Sequence, residues 1–161
     1  MSNSQRSSIS TREWQVQVSR LEDRIRTYED AIRQRDRLNE KLKRSRERYR
    51  ELFDNASDII FTADAHGNLT SANNAALRTW GYEIEQMLEL SVRDIVAADY
   101  VEPLFDVARR ALENDDAANA PIEVLTRTAE GRSVWLEVSV RGMADRGPYA
   151  GVHCIARDIT E

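Results

Sequence analysis

The sequence predicts an α+β protein, in which a five-stranded antiparallel sheet carries helices on one face and follows a long coiled-coil α-helix. Residues 11–53 contain no Gly or Pro and repeat apolar side chains at helical spacing. Two segments with strand character precede a helical region, and three more follow it. These observations divide the chain into three segments, 1–11, 12–53 and 54–161.

The charge distribution supports the boundary near residue 53. Residues 1–53 carry 14 Lys+Arg against 9 Asp+Glu, a balance of +5, whereas residues 54–161 carry 9 against 19, a balance of −10. An acidic surface repels phosphate, so nucleic acid is not expected as the partner of the C-terminal part.

Length and composition limit the class of protein further. A chain of 161 residues suffices for one domain with an extension. Its single cysteine favours a reducing cytoplasm over a disulfide framework. No apolar run approaches the ~20 residues of a membrane span, and the polar N-terminus has no signal-peptide core. We expect a cytoplasmic protein without a membrane span.

The N-terminal segments differ in their expected order. Residues 1–11 are rich in Ser and Thr, which predicts disorder. In residues 12–53 apolar side chains alternate at spacings of four and three, as in a coiled-coil seam. The phase breaks between Tyr28 and Leu38, which are ten residues apart, or one heptad plus three. We expect a parallel homodimer through a seam composed of Trp14, Val18, Leu21, Ile25, Tyr28, Ile32, Leu38, Leu42, Tyr49 and Leu52.

Alternative interpretations of this segment remain open. The helix could instead fold back on its own domain, or break near residues 34–37 into an antiparallel pair. The basic run at residues 41–50 is compatible with DNA binding, although Leu42, Tyr49 and the interleaved Glu47 favour a solvated coiled-coil flank. The seam reaches Leu52 without a flexible tether, so this helix can transmit rotation or displacement.

The C-terminal segment opens with a compact unit. Residues 59–61 and 69–72 are predicted strands, joined by a hairpin turn at residues 66–68. Asn73 is predicted to cap the following helix, and Gly81 to end it.

The remaining elements complete the predicted sheet. Residues 83–90 have one apolar helical face, residues 94–96 form no more than a turn, and a helix capped by Asp99 runs to about Asn114, with Leu112 on its buried side. A polar loop at 114–119 is followed by three predicted strands, at 121–129, 133–143 and 149–159. A hairpin turn at 129–132 joins the first two strands, and a loop at 144–148 precedes the third.

Several short motifs carry a resemblance to a known family. They are Asp64-x-x-Gly67, Asn73, Trp80-Gly81-Tyr82, Glu130-Gly131, Gly147-Pro148 and the closing Arg157-Asp158-Ile159-Thr160-Glu161. With the order of elements, they resemble a PAS domain of the sensory type found in bacterial histidine kinases and cyclic-di-GMP enzymes, over residues 48–161. The resemblance implies that Asp158, Ile159 and Thr160 join the last strand to an effector domain. The chain would then be a sensory and dimerising module without enzymatic activity of its own.

Alternation and the resemblance together predict an inward-facing set of side chains. This set encloses either a ligand pocket or a packed core, and the sequence leaves both interpretations open. It is almost entirely apolar, which disfavours a polar ligand and is compatible with a small apolar one. The candidates are Phe61, Ala63, Leu77, Trp80, Met87, Leu88, Leu104, Val124, Thr126, Leu136, Val138 and Cys154, with Ile95, Ala108 and Val152 beside them.

No cofactor is predicted. The photoactive flavin subfamily uses a cysteine in an Asn-Cys-Arg-Phe segment, whereas residues 92–97 read Val-Arg-Asp-Ile-Val-Ala. Haem-binding members use a histidine on the long helix, and residues 101–112 contain none. A redox flavin stacked on Trp80 is less expected than Trp80 as a core residue. His153 and Cys154 are strand neighbours that point to opposite faces, so they form no catalytic dyad, and metal-ligand spacing is absent.

The outer face of the sheet is expected to carry Ile60, Trp135, His153 and Ile155. A tryptophan on this face would be exposed to solvent unless another segment packs over it. We expect residues 49–53, from the same copy or from the partner, to pack there.

Two functions remain open. One is a signal-input module of a histidine kinase or diguanylate cyclase, and the other is a passive dimerisation or protein-docking module without a ligand.

Overall fold

The computed structural model describes residues 10–113, 120–143 and 151–160. The chain divides into two compact units, Met1–Arg48 and Tyr49–Glu161. The predicted loops at 114–119 and 144–148, and most of the predicted disordered segment 1–11, lie outside the described residues.

One helix, α1, spans Thr11–Asp54, a length of 44 residues. Its absence of Gly and Pro removes the two residue types that most often interrupt a helix. At its N-terminus, the backbone N–H of Glu13 donates to Ser10 Oγ (3.3 Å) and the backbone N–H of Ser10 donates to Glu13 Oε2 (2.7 Å). This reciprocal pair is a capping box. The helix continues through residues 34–37, so the alternative of a break there is wrong.

The C-terminal unit contains the predicted five-stranded antiparallel sheet. Its strand order is β2-β1-β5-β4-β3, so the first and last strands are neighbours at its centre. Inward and outward side chains alternate along β1 and β4, as their sequences predict. The strands are β1 (Ile59–Asp64), β2 (Leu69–Ala72), β3 (Ile122–Arg127), β4 (Ser133–Gly142) and β5 (Gly151–Asp158).

Four helices connect β2 to β3. Asn73 caps the first and Gly81 ends it with a φ of 76°, as predicted. Asp99 is the second residue of the last helix and not its cap, so the helix begins two residues earlier than predicted. The helices are α2 (Asn74–Trp80), α3 (Ile84–Met87), α4 (Val92–Ile95) and α5 (Ala98–Glu113).

The core of this unit lies between the inner face of the sheet and the helices. Trp80, Met87 and Leu136 are among its largest fully buried side chains. Within the described ranges, none of the helices is both long enough and apolar enough to cross a membrane.

Candidate ligand cavity and signal junction

A cavity of about 150 Å³ lies between α5 and the strands β1, β4 and β5, beside the β1–β2 turn. Six of the predicted inward-facing residues line it. They are Phe61, Ala63, Leu104, Ala108, Val152 and Cys154. Their role in binding a ligand stays a prediction.

Other candidates fill the core beside the cavity. The indole N–H of Trp80 donates to Thr126 Oγ1 (3.2 Å), and Thr126 Oγ1 donates to the carbonyl of Val134 (3.0 Å). The ring of Phe61 meets that of Trp80 edge-on, with centroids 5.5 Å apart. The indole N–H of Trp80 therefore has a hydrogen-bond acceptor within the protein. The candidates that pack here or nearby in the core, away from the cavity lining, are Leu77, Trp80, Met87, Ile95, Val124, Thr126, Leu136 and Val138.

Leu88 is a correction to the predicted set. Its side chain is 44% exposed, whereas the adjacent Met87 is fully buried. The helix predicted over 83–90 ends after one turn at Met87, so the apolar face does not continue to Leu88. Leu112, predicted on the buried side of α5, is 41% exposed and lines the cavity from its rim.

The other lining residues were not predicted. Several belong to the β1–β2 turn, which the sequence identified as a turn without showing that it would reach α5. Phe105 lies on α5 next to Leu104, which was among the predicted inward-facing residues. The unpredicted lining residues are Asp64, Ala65, Gly67, Val92, Phe105, Arg109, Leu112 and Val140.

Gly67 forms a close contact that explains this geometry. Its φ is +89°, and a Cβ added to it would lie 2.5 Å from Cζ of Phe105. The turn is also held by a hydrogen bond from the Val92 N–H to the Gly67 carbonyl, at 2.8 Å. The guanidinium carbon of Arg93 lies 4.3 Å from the Phe105 ring centroid. Phe105 is thus a wall of the cavity, held between the turn and α4.

The two charged lining residues have partners within the protein. Asp64 Oδ1 accepts from the backbone N–H groups of His66 and Asn68 (2.9 Å each), and its Oδ2 accepts from Asn68 Nδ2 (2.8 Å). Burial raises the pKa of Asp64, but these hydrogen bonds outweigh it and leave the pKa below its ordinary value. Arg109 donates to Asp106 Oδ1 at 2.7 Å.

Cys154 supplies a neutral thiol to the cavity wall. It is 3% exposed, and burial raises its pKa to about 12. Its neighbour His153 is half-buried, and burial and the nearby charge of Arg141 lower the pKa of that imidazole. At neutral pH Cys154 is therefore a thiol and not the thiolate that acts as a nucleophile. Across the described parts of the chain, acidic, histidine and cysteine side chains form no group of three suited to a metal ion.

Asp158, Ile159 and Thr160, the predicted signal junction, are attached to β4 through Trp135. Thr160 Oγ1 accepts from the Trp135 N–H (2.9 Å), and the Ile159 N–H donates to the Trp135 carbonyl (3.0 Å). The backbone N–H of Thr160 donates to Asp158 Oδ1 (2.8 Å). The ring of Trp135, 36% exposed on the outer face, meets Tyr100 of α5 edge-on at 5.4 Å. Sequence reasoning missed this contact between α5 and the outer face.

The family profile described as "PAS domain" matches residues 57–161, which include the sheet, the cavity and the junction. The chain belongs to the PAS domain family. PAS domains are sensory modules of signal-transduction proteins, and this assignment confirms the resemblance drawn from the sequence motifs.

Solved PAS structures share the fold. The PAS domain of an HTR-like protein from Haloarcula marismortui has a TM-score of 0.63 at 22% identity, covering 77% of this chain and 99% of that one. A PAS domain from a two-component sensor histidine kinase has a TM-score of 0.61 at 19% identity. The match covers 72% of this chain and 97% of that one. A domain of a sensory box sensor histidine kinase/response regulator from Geobacter sulfurreducens has a TM-score of 0.53 at 27% identity. The match covers 73% of this chain and 96% of that one.

Two curated relatives are much longer proteins. A methyl sulfide methyltransferase-associated sensor from Methanosarcina acetivorans is 28% identical over 74% of this PAS chain and 12% of its own length. Phytochrome C from Arabidopsis thaliana is 30% identical over 68% of this chain and 10% of its own length. The chain thus spans about a tenth of the length of either relative.

Proposed function

We propose that this PAS chain is the sensory and dimerising input module of a bacterial signal-transduction protein, a sensor histidine kinase or a diguanylate cyclase, working in the cytoplasm. Two copies associate in parallel through α1 and through the outer face of the sheet. The observation that carries this proposal is the exposed apolar seam on one unbroken helix.

The ten seam side chains are 46–69% exposed, from Val18 at the lower limit to Leu52 at the upper. No residue of α1 is buried. A helix of 44 residues extends about 66 Å, and a helix gains most of its stability by packing an apolar face against another element. A contiguous exposed apolar surface marks an interaction site. A second copy offers the same seam at the same spacing and is therefore the expected partner.

The C-terminal junction supports a relay to an effector. Asp158 is the last residue of β5, and Ile159 and Thr160, which follow it, are hydrogen-bonded to the backbone of Trp135 in β4. A displacement of the sheet would therefore change the position at which the next segment leaves the domain. We expect the effector to follow Glu161.

A passive dimerisation or docking module is the second candidate. Seven of the twelve main pocket candidates pack into the core away from the cavity lining, with Trp80 and Thr126 satisfying each other's polar groups. A core that is mostly filled needs no ligand for stability. The two candidates differ in whether the remaining cavity binds a signal molecule.

Disulfide formation at an introduced cysteine tests the parallel seam. Ile25 is a seam position, and in a parallel pair in register the two copies of residue 25 face each other. Asp23 lies on the opposite face of α1 and provides the matched control. The native Cys154 is buried and its pKa is about 12, so it contributes little background reaction. Ile25→Cys and Asp23→Cys chains would be oxidised at equal concentration and their dimer fractions compared.

We expect the Ile25→Cys chain to form a covalent dimer at least about tenfold faster than the Asp23→Cys chain. Equal rates for the two variants, or a monomer in sedimentation analysis at micromolar concentration, would overturn the parallel dimer.

A further inference from the structure

We propose that the cavity beside the β1–β2 turn binds a small uncharged apolar molecule of about six to eight non-hydrogen atoms. The inference rests on the proposed sensory function and specifies the chemical class of its ligand. It places the ligand against α5 and the β1–β2 turn, away from Trp80.

Volume limits the size of this ligand. An apolar cavity of about 150 Å³ accommodates benzene or xenon, and the cavity here has that volume. A flavin or a haem has several times as many non-hydrogen atoms and exceeds this space. The ligand is therefore the size of a single small ring or a short hydrocarbon.

The chemistry of the lining limits the charge of the ligand. Most lining side chains are aliphatic or aromatic, among them Phe61, Leu104 and Val152. The carboxylate of Asp64 already accepts three hydrogen bonds from the turn, and Arg109 is paired with Asp106. The thiol of Cys154 is buried in the wall. A charged ligand would give up its hydration against this mostly apolar lining, whereas an apolar ligand would not.

Phe105 connects occupation of the cavity to the rest of the domain. Its ring touches the turn at Gly67 so closely that no side chain fits between them. The same ring lies against Arg93, which pairs with Glu102 at 3.3 Å. A ligand that presses on Phe105 therefore presses on the β1–β2 turn and on α5 together. Because Tyr100 of α5 meets Trp135, this displacement reaches the strand that holds the signal junction.

Benzene and benzoate form a matched pair of probes for the whole chain. They share a ring, and benzoate adds one negative charge. Binding would be followed by the methyl resonances of Leu104, Val140 and Val152 in the ¹³C spectrum. Ala108→Leu adds bulk to a half-buried residue of the cavity wall, while Ala98→Leu adds the same bulk at an exposed position of the same helix.

We expect benzene to shift the three sets of methyl resonances in the wild-type and Ala98→Leu chains. Ala108→Leu should weaken this binding at least about tenfold, and benzoate should bind at least about tenfold more weakly than benzene. No shift with benzene, or equal shifts in Ala108→Leu, would overturn the site. Benzoate binding as tight as that of benzene would overturn the uncharged class. The cross-linking rate of the Ile25→Cys chain, measured in parallel, shows separately whether the dimer proposal has failed.

Discussion

Asn73 uses all of its side-chain hydrogen-bonding groups in one fully buried position. Its Oδ1 accepts from the backbone N–H groups of Ile60 and Ala76, and its Nδ2 donates to the carbonyls of Phe53 and Asp58, each at 3.0 Å. A single amide thus joins the end of α1, the first strand and the start of α2. Buried polar groups are costly when they lose such partners.

Replacing Asn73 with Ala should lower the free energy of unfolding by about 2–4 kcal/mol, because the helix cap is lost and buried backbone groups lose their partners. Urea denaturation followed by circular dichroism measures this change. Asn74→Ala, at the exposed first residue of α2, is the control and should stay within about 0.5 kcal/mol of the wild type. A loss of less than about 1 kcal/mol, the size of an ordinary helix cap, would show that the four hydrogen bonds do not act together.

At the scale of the element, β4 contacts both the core and cavity on the inner face of the sheet and the C-terminal junction through Trp135. Its inward side chains Leu136, Val138 and Val140 belong to the core, and Val140 also lines the cavity. Its residue Trp135 holds the C-terminal junction through backbone hydrogen bonds and contacts α5 through its ring. Displacement of α5 and attachment of the junction therefore act on the same strand.

Replacing Thr160 with Val should expose the Trp135 amide to exchange, because the hydroxyl that accepts its N–H is lost. One hydrogen bond contributes about 1 kcal/mol, so the exchange protection of this amide should fall roughly fivefold. Hydrogen exchange followed by NMR measures it. Thr160→Ser keeps the hydroxyl and should retain most of the protection. Equal protection in all three chains would mean that Thr160 does not hold the junction.

Local patterns predicted the elements well and the cavity only in part. The cap at Asn73, the stop at Gly81 and the alternation in β4 depend on neighbouring residues, and the sequence contains them directly. The position of the cavity depends on how closely the β1–β2 turn approaches α5, which the contact between Gly67 and Phe105 determines across 38 residues of chain. Leu88 was misplaced because α3 ends after one turn, and no sequence signal at residues 83–90 marked that end.

At the scale of the whole molecule, α1 presents a seam whose phase changes once. Tyr28 and Leu38 are ten residues apart, so a supercoil through both is overwound between them. In the proposed dimer, this is the segment with the least favourable packing. We infer that it allows two arrangements of the pair and that the signal selects between them.

Deleting residues 34–36 would bring Tyr28 and Leu38 to seven residues apart and Ile32 and Leu38 to three, which restores a continuous heptad. The dimer should then melt at a higher temperature, by about 2–4 °C for each kcal/mol gained. In a protein that carries the effector, the response to signal should be lost. Replacing the same three residues with Ala keeps the spacing and is the control. A deletion variant with unchanged melting and unchanged regulated output would remove the switching role of the phase break.

Because the first strand pairs with the last, the two ends of this domain lie close together, which favours its transfer between proteins. Ile59 is the partner of Ala156 across the centre of the sheet, and Asp58 lies 3.7 Å from Arg157 in an ion pair. The start of β1 and the end of β5 therefore lie next to each other at one end of these two central strands. A gene segment encoding this unit can be inserted, duplicated in tandem or excised while the two flanking sequences keep nearly the same separation. Such a domain is well suited to recombination, because it can be inserted between two residues of a host protein that lie close together.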